Sequence, residues 1–162
     1  MKCLRCNGPL RTRRENYRYD GAGLPGVTLV DVAVSRCQAC GDDNVELKHP
    51  QALHHAIAAR VIRKPGRLSR EEVRFLRAIL ELSGVDLARV MGASPVSISR
   101  WENGRAPIGV QADKLLRMLV AALPGQDVYS IEDLQGAASS KASSPLRIRL
   151  RLQDKGWTPV AA

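Results

Sequence analysis

Two stretches of the chain repeat one chemical spacing: Cys3-Leu4-Arg5-Cys6 and Cys37-Gln38-Ala39-Cys40, the second followed by Gly41. A C-x-x-C turn lets two sulfurs point at one ion while nearby backbone N–H groups hydrogen-bond the thiolates. Two such turns complete the tetrahedral four-sulfur set that zinc takes in closed structural sites. The doubled spacing predicts one structural Zn2+ on Cys3, Cys6, Cys37 and Cys40. A redox dithiol is the first alternative, but it calls for a single C-x-x-C in a βαβ setting, which is missing here. Four unrelated buried thiols are the second, and the repeated spacing weighs against them. With four sulfur ligands no position stays open for a catalytic water, which disfavours metal-assisted hydrolysis.

The second chemically loaded stretch runs from Ser94 to Gly104, SPVSISRWENG. Ser94 reads as an N-cap, Pro95 as the first helical residue, where its missing N–H costs nothing, and Gly104 as the stop. Ile98 and Trp101 lie three apart and share one face, while Val96, Ser97 and Arg100 take the other. Small side chains let a backbone approach the floor of the major groove. Serine donates to or accepts from either base edge, and arginine grips guanine O6 and N7 with two hydrogen bonds. The expectation is a helix-turn-helix recognition element that contacts DNA through Ser94, Pro95, Val96, Ser97, Ser99, Arg100, Asn103 and Arg105. A plain three-helix core with a solvated polar face is the bland alternative, and the agreement of cap, glycine and tryptophan spacing with a basic charge argues against it. Trp101 reads as core rather than as a base-stacking group, because its neighbour Ile98 is apolar.

The remaining elements must position these two sets. Thirty residues separate the cysteine pairs, longer than the roughly 15–20 of simple zinc ribbons. Within them Glu15–Asp20 reads as a strand, the Gly/Pro-rich segment as a turn, and Val30, Val32 and Val34 as an alternating strand. The run Gly21-Ala22-Gly23-Leu24-Pro25-Gly26 matches the dinucleotide fingerprint G-x-G-x-x-G. That motif works only between a strand and a helix N-terminus, and Pro25 with the β-branched run after it gives a turn into a strand instead. His54 and His55 fall on a helix built on Leu53, Ile57 and Val61. They and His49 read as solvated or half-buried, since four cysteines already satisfy a zinc ion.

Pro65-Gly66 breaks the pattern and marks a domain boundary. After it, Ser69 to Glu72 is a capping box opening a helix that buries Val73, Leu76, Ile79 and Leu80. Ser83 to Asp86 repeats the start for a helix facing inward through Leu87, Ala88, Val90 and Met91, with Gly92 as its left-handed stop. Beyond Gly104 another helix is expected to turn Ile108, Ala112, Leu115, Leu119 and Ala122 inward. The fold class expected is α+β: a small β-rich zinc-binding domain over 1–65, an all-α helix-turn-helix domain over 66–124, and an extension over 125–162. In the extension, residues 136–145 read as a small-residue linker. Leu146 to Leu152 alternates strictly, leucine and isoleucine against Arg147, Arg149 and Arg151. This is either a flexible tail or a strand that docks on a sheet edge of a partner or exchanges across a dimer.

Lysine and arginine number 25 against 16 acidic residues, a formal charge of +9. The excess is concentrated early: 11 against 6 over 1–65, 9 against 6 over 66–124, and 5 against 4 over 125–162. A four-thiolate zinc site adds about two negative charges, leaving roughly +7. Such a balance attracts nucleic acid, anionic lipid or an acidic protein, and charge alone does not choose among them. No long apolar run suggests a membrane span, and MKCLRC lacks the hydrophobic stretch of a signal peptide, so a cytoplasmic, nucleoid-associated protein is expected. No Ser/His/Asp order, carboxylate pair or phosphate loop stands out, so no enzyme is expected.

The segment FLRAILELSGVDLARVMGASPVSISRWENG resembles the Cro-type (XRE) helix-turn-helix family, and CLRC…GLPGVTLVDVAVSRCQACGD resembles the YgiT-type zinc finger joined to it in some members. The combination resembles the MqsA/YgiT-type antitoxins and regulators over residues 1 to about 123. The resemblance implies a two-domain homodimer whose helix-turn-helix represses its own operon at a palindromic operator and whose zinc domain can clamp a small toxin protein. It places Arg100 at the family's base-reading arginine and pairs Arg77 with Glu102. Val96 stands where MqsA-type antitoxins have an asparagine, which implies a different operator, and Gly84 replaces a phosphate-binding glutamine. A stand-alone regulator of this build and a protein-binding adaptor without specific DNA binding are the alternatives.

Overall fold

The computed structural model describes residues 1–126, 128–137, 145–154 and 156–161. It is a mixed α/β protein with six helices and a five-stranded sheet among the described residues. Two compact units divide it. One holds residues 1–19, 26–53 and 147–161, and the other 20–25 and the described part of 54–146.

The first unit is built on β1 (Leu10–Arg18) and β2 (Val27–Cys37), an antiparallel pair in which Leu10 faces Cys37 and Arg18 faces Thr28. Short β3 (Asp43–Val45) pairs with the end of β2. Between Glu15 and Tyr17 the register slips, and Asp31 opposite the slip adopts a left-handed φ of 57°. The extra residue restores phase, because a one-residue shift otherwise turns every side chain to the other face. Val27 and Leu29 thereby share the buried face of Val32 and Val34. Arg14 braces the bulge with Nε donating to the Asp31 carboxylate at 2.9 Å. The guanidinium of Arg14 is the first reason the Asp31 carboxyl sits below its ordinary range.

The C-terminal segment corrects the expectation of a separate extension. Strand β4 (Ile148–Gln153) pairs in parallel with β2, Val27 to Ile148 through Val30 to Arg151, and β5 (Gly156–Pro159) closes the edge. Ile148 and Leu150 are fully buried, and the Trp157 indole N–H donates to the Lys48 carbonyl at 2.9 Å. The alternating leucines and arginines do form a strand, but its apolar face is satisfied within this chain. Most of the expected linker, 138–144, lies outside the described residues.

Helix α1 (Pro50–Ile62) buries Leu53, Ile57, Ala58, Val61 and Ile62, and the unit boundary falls within it rather than at Pro65-Gly66. Helix α2 (Arg70–Ile79) opens with the capping box: Ser69 Oγ accepts from the Glu72 N–H, and Glu72 from the Ser69 N–H at 2.8 Å. It buries Val73 and Leu76 as expected, and Phe75 besides, while Ile79 and Leu80 are only half-buried. Helix α3 (Gly84–Met91) starts at Ser83 and stops at Gly92 with φ 64°. Leu87 and Ala88 face inward, but Val90 is exposed, a correction to the inward face drawn from sequence. Helix α4 is Pro95–Glu102 and α5 is Val110–Ala121. A capped turn of helix, α6 (Ile131–Gly136), follows.

The face of α5 also needs correction. Leu115 is exposed, Leu119 half-buried and Ala122 exposed, while Asp113, Leu116, Arg117 and Val120 turn inward. Two charged residues take the core because they satisfy each other and the backbone. Arg117 Nε donates to Asp113 at 2.6 Å, and its other nitrogens donate to the carbonyls of Ile62, Lys64 and Gly66 at 3.0, 2.6 and 2.7 Å. The second Asp113 oxygen accepts from the Leu68 N–H at 2.7 Å. The Lys64 and Gly66 carbonyls and the Leu68 N–H would otherwise lack these partners in a buried place, while the Ile62 carbonyl also accepts from the Tyr129 hydroxyl at 3.0 Å.

Candidate metal centre and nucleic-acid interface

The two C-x-x-C turns are built alike. In the first, the Asn7 N–H donates to the Cys3 carbonyl at 2.9 Å and the Cys3 N–H to Gly8 at 2.9 Å. In the second, the Gly41 N–H donates to Cys37 at 3.0 Å and the Cys37 N–H to Asp42 at 2.8 Å. Each turn places the residue after its second cysteine in the left-handed region, Asn7 at φ 61° and Gly41 at φ 74°. Glycine and asparagine are the residues that tolerate it. Gly41 was legible as part of the knuckle; Asn7 was not, though its type is the clue.

The pairing of Leu10 with Cys37 holds the knuckles side by side. All four sulfurs lie within 4.8 Å of one another, with Cys3 and Cys40 at 3.7 Å and Cys6 and Cys37 at 3.4 Å. None is in a disulfide. Gly8 is enclosed: a Cβ there would lie 2.9 Å from the Ala39 Cβ and 3.2 Å from the sulfurs of Cys6 and Cys37. Thiols this close cannot all lose their protons alone. The Cys40 backbone N–H, foremost, holds the Cys37 thiol down at about 6. The Gly8 backbone lowers Cys6, yet hydrogen bonding with Cys37 and Cys40 prevails and pushes it up to about 12. A cation among the sulfurs removes this conflict, so the donor set fits a thiolate-binding metal ion. His49, His54 and His55 take no part in the cluster. His54 packs edge-on against Phe75 with centroids 6.3 Å apart, and burial, then His55, lowers its pKa.

The other expected site lies on α4. Ser94 caps the helix, accepting from the Ser97 N–H, and its hydroxyl meets that of Ser97 at 2.9 Å. Ile98 is buried and Trp101 half-buried. Pro95, Val96, Ser99, Arg100, Asn103 and Arg105 are exposed, and Ser97 is half-buried. Asn103 donates to the Ser99 carbonyl at 2.8 Å and to its hydroxyl at 3.2 Å. Arg100 and Arg105 make no side-chain hydrogen bond or ion pair among the described residues, which leaves two guanidinium groups facing solvent. The four hydroxyl and amide groups are partly occupied by the helix itself, so the arginines are the available donors.

Glu102 is not available. Arg77 Nε and Nη2 clamp its two oxygens at 2.5 and 3.2 Å, and Arg77 Nη1 also donates to the Leu82 carbonyl at 3.0 Å. Arg74, one turn earlier on α2, donates to the Glu102 carbonyl at 2.8 Å and so caps the end of α4. The Arg70 side chain covers Gly104, whose missing Cβ would stand 3.1 Å from Arg70 Cδ. Sequence reasoning missed Arg70 and Arg74, although their i, i+4, i+7 spacing with Arg77 marks one helix face.

No protein-family model matches the chain, and no curated protein matches it. Among the described residues no helix is long and apolar enough to cross a membrane.

Proposed function

We propose that the protein is a sequence-specific DNA-binding transcriptional repressor in which α3 and α4 form a helix-turn-helix and α4 enters the major groove. The observation that carries this reading is the division of α4. Ile98 is buried, Glu102 is tied to α2, and Val96, Ser99 and Arg100 are exposed on the outer face, Arg100 with no side-chain partner. A helix held on one side by its bundle, with a small-residue face and an unpaired arginine on the other, suits direct readout of base edges. Arg100 is the base-reading residue. Ser94 and Ser97 serve first as the cap, and Arg105 and Asn103 reach towards phosphate.

The metal in this reading is one structural Zn2+. Zinc–sulfur distances of about 2.3 Å give a tetrahedron with edges of about 3.8 Å, and the sulfur pairs at 3.7 and 3.4 Å are close to that. When bound, the ion supplies folding energy to the first unit and takes no part in chemistry. The exposed apolar strip of Leu115 and Met118 on α5 supports a homodimer. Its two recognition helices would read half-sites of a palindrome about 34 Å apart. Resemblance to the MqsA/YgiT-type proteins extends the proposal to an antitoxin that represses its own operon and is held by a small toxin protein.

Genomic footprinting with the purified full chain, with metal content measured on the same sample, tests the reading. One zinc per chain and a recurrent palindromic footprint that Arg100→Ala erases is the expected result. Binding to random duplex as tight as to any selected sequence would overturn it.

A further inference from the structure

The face of β1 that carries Arg11, Arg13 and Glu15 borders a cleft of about 380 Å³, with Val34, Arg36, Cys37 and Gln38 also in its wall. Its size falls within the roughly 300–1,000 Å³ typical of small-ligand sites. Three guanidinium groups meet there against one carboxylate. Glu15 is already engaged by Arg36 at 2.5 Å, while Arg11 and Arg13 have no side-chain hydrogen bond or ion pair among the described residues. The strand register makes the excess costly, because Arg11 stands directly opposite Arg36. Like charges so placed repel, and with Glu15 taken by Arg36 the only other group in the wall that can carry negative charge is the Cys37 sulfur, which belongs to the metal cluster. The remaining wall is fixed: the Gln38 N–H donates to the Pro9 carbonyl at 3.2 Å, and Val34 is buried.

We propose that this cleft binds a phosphate-bearing anion, with the forks of Arg11 and Arg13 gripping its oxygens and Arg36 closing the site. Guanidinium groups match phosphate with two parallel hydrogen bonds each, and a ligand with two negative charges balances the two unpaired arginines. This site uses none of the α4 residues and does not depend on how they read DNA. The phosphate can come from a free nucleotide or pyrophosphate, or from a nucleic-acid backbone.

The test is calorimetric titration of the metal-loaded full chain at low salt with inorganic pyrophosphate, ADP, succinate and a random DNA duplex. It compares the natural sequence with Arg11→Gln/Arg13→Gln and with Arg100→Ala, and follows zinc content throughout. Saturable binding is expected, with affinity falling about tenfold or more in the double variant, as for loss of charge-assisted hydrogen bonds. Arg100→Ala should leave pyrophosphate and ADP binding unchanged, and succinate should bind more weakly. If pyrophosphate or ADP loses affinity in the double variant, the source is a free anion. If only the duplex does, the source is a backbone. Absence of saturable phosphate binding, or binding that the double variant leaves intact, overturns the proposal. So does a double variant that loses zinc without losing anion affinity, since the arginines would then only balance thiolate charge.

Discussion

Arg77 on α2 and Glu102 at the end of α4 form a two-point ion pair, with nitrogen–oxygen distances of 2.5 and 3.2 Å and both side chains largely shielded from water. Two helices are thereby tied together, and the charge of the Glu102 carboxylate is neutralised. Arg77→Ala should lower stability by about 1–3 kcal/mol, since it leaves a shielded carboxylate and the Leu82 carbonyl unpaired. A double-mutant cycle with Glu102→Ala, read by thermal unfolding, should return a coupling of about 1 kcal/mol or more. A coupling near zero would show that the clamp contributes nothing.

Arg100 has the opposite character, exposed and without a side-chain partner. Arg100→Ala should leave the melting temperature where it is and weaken specific DNA binding by about 1–3 kcal/mol while relaxing sequence preference. Competition assays with operator against random duplex separate this from a general loss of positive charge, which would weaken both equally.

Gly8 offers a way to disturb the metal centre without removing a ligand. A methyl group there meets Ala39 and two cysteine sulfurs at 2.9 to 3.2 Å. Gly8→Ala should therefore weaken metal retention against a chelator by about tenfold or more. Complete metal removal should unfold the first unit, since the site ties the ends of β1 and β2 and its binding energy is folding energy. Circular dichroism with and without chelator would register the loss of strand signal, and unchanged spectra would refute it.

The Asp113–Arg117 pair is fully buried. Asp113→Asn or Arg117→Met should each cost about 3–5 kcal/mol, because one change strands a charge in the core. Replacing both by apolar residues should not restore stability. The Leu68 N–H and the carbonyls of Lys64 and Gly66 would still lose these partners. Full recovery in the double variant would mean that water replaces those bonds.

His54 makes stability depend on pH. Burial lowers its folded pKa below the unfolded value of about 6.5. The unfolded chain then binds more protons in that window, so stability is complete above about pH 6.5 and declines as pH falls through the folded pKa. Denaturant midpoints measured at about pH 7.5 and 5.5 should differ less in His54→Gln than in the natural sequence.

Much of this protein is written locally. The doubled C-x-x-C spacing, the caps at Ser69, Ser83 and Ser94, the stop at Gly92 and the strand over Val30 to Val34 depend on residues within a few positions of one another. Short-range geometry decides them. The G-x-G-x-x-G run is likewise a turn between strands, as Pro25 requires. What the chain could not announce depends on distant partners. The inward face of α5 followed Asp113 and Arg117 rather than Leu115, because carbonyls some fifty residues earlier needed donors. The alternating C-terminal strand could have sought any sheet edge, and it took the one beside β2, where Ile148 and Leu150 are covered. Burial of charge and choice of strand partner are settled by long-range satisfaction of hydrogen bonds and apolar area, which no local pattern encodes.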